Sequence, residues 1–79
     1  MDQSLANRIT SDPAILGGKP IIRGMRIRVS DILGYLAGGE TRASLLEEFE
    51  ELEDEDISAA LAFAADVLRG ERSPKIAAE

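Results

Sequence analysis

A chain of 79 residues, 44% of them hydrophobic, encloses one apolar core, so a single domain is expected. Neither Cys nor His occurs, which removes disulfides, thiol nucleophiles, imidazole proton shuttles and soft metal ligands, and leaves catalysis only carboxylates to work with. The net charge of −6 is unevenly divided, since residues 1–30 sum to +3 and residues 31–79 to −9, so the two parts of the chain suit different partners.

The first ten residues carry Asp2, Asn7 and Arg8 and no apolar run of signal-peptide length, and no later stretch approaches membrane-spanning length. A cytoplasmic protein with no membrane association is therefore expected. A core this small is marginal, and with disulfides and metals closed to it, a homodimer is the expected remedy.

Residues 8–10 read as a brief strand. Ser11-Asp12-Pro13 and Gly17-Gly18 are turn signals. Pro20 suits the first position of a strand, Ile21-Ile22 is β-branched, and Gly24 offers a turn before Met25-Arg26-Ile27-Arg28-Val29, where apolar and basic residues alternate. Residues 20–28 are thus predicted as a small β element with its arginines on one side. Ser30 is a good N-cap, and Val29, Ile32, Leu33 and Leu36 form an apolar stripe, predicting a helix over 31–37 that stops at Gly38-Gly39.

Thr41 caps a second predicted helix, which ends near Glu48 and turns Leu45, Leu46 and Phe49 to one face. The third spans about 54–69, with Ile57, Ala60, Leu61, Ala64, Val67 and Leu68 at helical spacing and Gly70 as its stop. Glu53 is a poor cap, so Asp54 is expected to take that place. Residues 71–79 show no periodicity, and the folded core is expected over 8–69 with a tail over 70–79.

The most specific stretch is Ile15-Leu16-Gly17-Gly18-Lys19-Pro20-Ile21-Ile22-Arg23-Gly24-Met25-Arg26-Ile27-Arg28-Val29. It resembles the family catalogued as domain of unknown function four hundred and thirty-three, a VapB-like antitoxin group with a hallmark of the form G-K-P-x-I-x-G-T-R-I-P-V. Met25 stands where that hallmark has Thr, and Arg28 where it has Pro. Glu50 and Glu53 also replace a common Pro and a usual Thr or Ser cap. The resemblance implies a mainly α, helix-turn-helix-type (homeodomain-like) fold of three helices preceded by short N-terminal β strands. It also implies a neighbouring toxin with a PIN-like nuclease fold.

Gly17-Gly18-Lys19 lacks the Ser or Thr and the earlier Gly of a phosphate loop, and reads as a turn. Eight of the ten residues 47–56 are acidic, but Phe49 and Leu52 interrupt any calcium-loop spacing, so the run reads as a solvated corner. That corner opens the helix that would read DNA, where it should repel phosphates.

If nucleic acid is bound, Lys19, Arg23, Arg26 and Arg28 are the candidates, an exposed strand face being the plainer alternative. The alanines at 59, 60, 64 and 65 fit either a tight core or a homodimer seam. Arg69, Arg72 and Lys75 are candidates for the carboxylate-lined site of a PIN-like toxin, a plain basic tail being the alternative. These readings give a non-enzymatic antitoxin that neutralises its toxin and regulates its own operator DNA, without metal or cofactor. The alternative is a stand-alone helix-turn-helix transcriptional regulator.

Overall fold

Asp2 accepts the Ser4 N–H at 2.9 Å and so caps a single-turn helix α1, Gln3–Ala6. In the computed structural model, residues 2–70 are described. The sequence pattern gave no sign of α1, because four residues are too few to show a period. Leu5 presses half-buried against the core.

The chain then forms β1, Ile9–Thr10, which pairs antiparallel with β2, Ile21–Ile22, in the register Ile9 to Ile22 and Thr10 to Ile21. Between them the Gly17-Gly18 segment makes a short 3-10 turn, Leu16–Gly18, held where Ser11 Oγ donates to the Gly18 carbonyl at 3.0 Å. Ile21 and Ile22 are both fully buried, so β2 has no solvent face and alternation cannot be read from it.

After β2 the chain reverses in a tight turn. Arg23 (φ 43) and Gly24 (φ 73) occupy its two central positions, and Met25 N–H donates to Ile22 O at 2.7 Å, the geometry of a type I′ turn. The expected regular second arm is much reduced. Ile22 N–H donates to Ile27 O, Val29 N–H donates to Pro20 O, and Ile21 bridges Arg28, but the backbone then enters helix α2, Val29–Ala37.

That helix starts two residues earlier than predicted. Asp31 reaches back to the Arg28 N–H at 3.1 Å, so Arg28 is the capping position and Ser30 lies inside the first turn. The predicted arginine face does not form either, because Arg23 turns away to Asp56 while Arg28 binds Asp31.

Helix α3, Arg42–Glu48, matches its prediction. Thr41 Oγ1 accepts the Ser44 N–H and Ser44 Oγ accepts the Thr41 N–H, both at 3.0 Å, so two otherwise orphaned donors are satisfied reciprocally. Helix α4, Asp54–Leu68, is the spine against which α1, β1, α2 and α3 all pack. Its cap is Glu53 and not Asp54, because Asp56 accepts the Glu53 N–H at 2.8 Å and thereby fixes the first turn.

The buried face of α4 carries Asp56, Ile57, Ala59, Ala60, Phe63 and Asp66. The predicted stripe was displaced around the helix, since Leu61 is 43% and Leu68 87% exposed. Apolar residues occur nearly all the way round residues 57–68, so helical spacing alone does not select the packed arc.

The chain is thus mainly α, with four helices among the described residues instead of the expected three and a short two-stranded sheet. Its core joins Ile9 and Ile22 to Val29 and Ile32, Leu45, Leu52 and the inner face of α4. No helix among the described residues is long and apolar enough to cross a membrane.

Candidate functional site

The densest polar construction among the described residues is centred on Asp56, whose side chain is 0% exposed. Four donors meet its two oxygens. Arg23 Nε donates to Oδ1 at 2.9 Å and Arg23 Nη2 to Oδ2 at 2.8 Å, Arg8 Nη1 donates to Oδ1 at 2.9 Å, and the Glu53 N–H donates to Oδ2 at 2.8 Å. Arg8 also reaches Glu53 Oε1 at 2.7 Å, and Arg23 Nη2 also donates to the Glu51 carbonyl at 2.8 Å.

Burial by itself opposes ionisation of Asp56. The bonds from Arg23, from the Glu53 N–H and from Arg8 outweigh it, and the carboxyl is held below the usual range. A fork from Arg23 and a second cation make this a saturated ion cluster. It joins the β1–β2 unit to α4, and every buried lone pair it holds is already used.

The acidic corner is therefore not uniformly solvated. Besides Asp56, Glu53 pairs with Arg8, and Asp54 accepts Arg42 Nε at 2.8 Å. That bond from Arg42 lowers the Asp54 carboxyl. Arg42 Nη2 also donates to Ser58 Oγ at 2.7 Å, tying α3 to the first turn of α4. The side chains of Glu47, Glu48, Glu50, Glu51 and Glu55 remain exposed and make no ion pair with another described residue.

The four candidate nucleic-acid residues divide into two kinds. Arg23 is engaged with Asp56, and Arg28 pairs with Asp31 at 3.1 Å. Lys19 and Arg26 are exposed and make no ion pair with another described residue. Of the partner-binding candidates, Arg69 follows α4 and pairs with Asp66 at 3.0 Å, whereas Arg72 and Lys75 lie outside the described residues.

An apolar groove of about 550 Å³ runs between α2 and the C-terminal half of α4. Val29, Leu33, Phe63 and Val67 line it, with Lys19 and Leu68 beside them.

The family described as Protein of unknown function (DUF433) matches residues 9–64, from β1 through most of α4. The chain belongs to this DUF433 family. It is similar to a crystal structure of a DUF433 member protein from Anabaena variabilis, with a TM-score of 0.75 and 32% identity, over 87% of this chain and 68% of that one. It is also 42% identical over 65 residues to the uncharacterized protein y4eO of Sinorhizobium fredii. That match covers 81% of this chain but 29% of the relative, so the DUF433 chain spans less than a third of that protein's length.

Within this DUF433 domain the motif around residues 15–29 has a clear architectural use. Its glycines make the two turns, its isoleucines fill the core, and its Arg23 anchors on Asp56. Reading the sequence missed Arg8, Arg42 and Asp56. The ion pairs that define them join residues 12 to 48 positions apart, and no local period reports a contact of that span. One signal was present: Glu53 and Asp56 stand at the three-residue spacing of a capping pair, which marks Asp56 as a residue turned back on its own helix.

Proposed function

We propose that this DUF433 protein is an antitoxin-like binding protein that neutralises a PIN-like nuclease toxin and also occupies its own operator DNA. The motif at residues 15–29 resembles VapB-like antitoxins, and α3 followed by α4 has the order of a helix-turn-helix pair. The observation that carries the protein-partner half is the outward side of α4. It presents Asp54, Glu55, Leu61, Ala62, Ala65 and Leu68, with Arg42 bound to Asp54 at its start and Arg69 just past its far end. Between Arg42 and Arg69 such a side offers no amide or guanidinium group to read base edges, its acidic start disfavours phosphate, and apolar side chains between charged ends suit a protein surface.

The test is co-expression with the product of the adjoining gene. Recovery of a stable complex and relief of growth arrest are expected, and Leu61→Glu on the outward side of α4 should weaken both. Failure to recover a complex, with toxicity undiminished, refutes the reading.

A role for DNA is favoured by one observation, the exposure of Lys19 and Arg26 with no ion pair to another described residue. In this reading the two cations meet phosphates while α4 stays clear of the groove. The stand-alone regulator differs from it in needing no protein partner.

A further inference from the structure

We draw no further inference here: the strongest candidate, the apolar groove between α2 and the C-terminal half of α4 that Val29, Leu33, Phe63 and Val67 line, carries nothing, because nothing in the structure shows what covers it.

Discussion

Arg23 and Asp56, 33 residues apart in sequence, meet through two hydrogen bonds at 2.9 and 2.8 Å, and the carboxylate between them is wholly buried. Arg23 holds this position from a left-handed backbone (φ 43), a conformation that costs a non-glycine residue about 1 kcal/mol or more. The contact offsets that cost, and it locks the β turn onto the start of α4.

Arg23→Ala should therefore destabilise the fold by about 2–3 kcal/mol. That is below the ~3–5 kcal/mol of a fully buried pair, because Arg8 still serves Asp56 and the Arg23 side chain is 35% exposed. Arg23→Lys should recover only part of the loss, since an ammonium cannot present two donors in a fork. Urea unfolding followed by circular dichroism measures both, and a loss under about 0.5 kcal/mol for Arg23→Ala contradicts the role given to this pair.

The same cluster predicts the response to acid. The Asp56 carboxyl is lowered in the folded chain, so its contribution is fully present above the unfolded carboxylate value of about 4 and is lost as pH falls through the lower folded value. Asp31, where bonds from Arg28 overcome the opposing effect of burial, and Asp54, lowered by Arg42, act in the same direction. Stability should decline below about pH 4, with a shallower decline in Asp56→Asn. Identical acid slopes in the two proteins would assign the decline elsewhere.

Two glycines should respond oppositely to alanine. At Gly24 (φ 73) a Cβ would meet nothing within 4 Å, so the expected loss of about 1 kcal/mol is conformational. At Gly34, inside α2, a Cβ also meets nothing within 4 Å, and alanine should stabilise by about 0.5–1 kcal/mol. Thermal unfolding of the two variants reads the signs directly, and equal shifts would mean that the turn is not held as described.

If DNA is bound through Lys19 and Arg26, few phosphates are neutralised. Two contacts per chain give a slope of log affinity against log salt near −1.8, or about −3.6 for two chains acting together. Lys19→Ala should reduce the slope by about 0.9 for each chain bound, whereas Arg23→Ala, whose side chain is engaged internally, should leave it unchanged. A slope near zero would remove phosphate binding from the functional reading.

Local chemistry made much of this molecule legible in the sequence. Thr41 announces α3 because a hydroxyl at an N-cap satisfies donors within its own turn, and Gly24 marks a reversal because positive φ is inexpensive there. The apolar stripe of α2 declares the side on which Val29 and Ile32 are buried. Tertiary structure alone decided which arc of α4 is packed, since that helix is apolar almost all round and the choice falls to what lies against it. It also decided the fate of the charges. Arg8, Arg23 and Arg42 look available along the chain, yet each is bound to a carboxylate brought near by folding, because pairing across the core depends on proximity in space and leaves no period in the sequence.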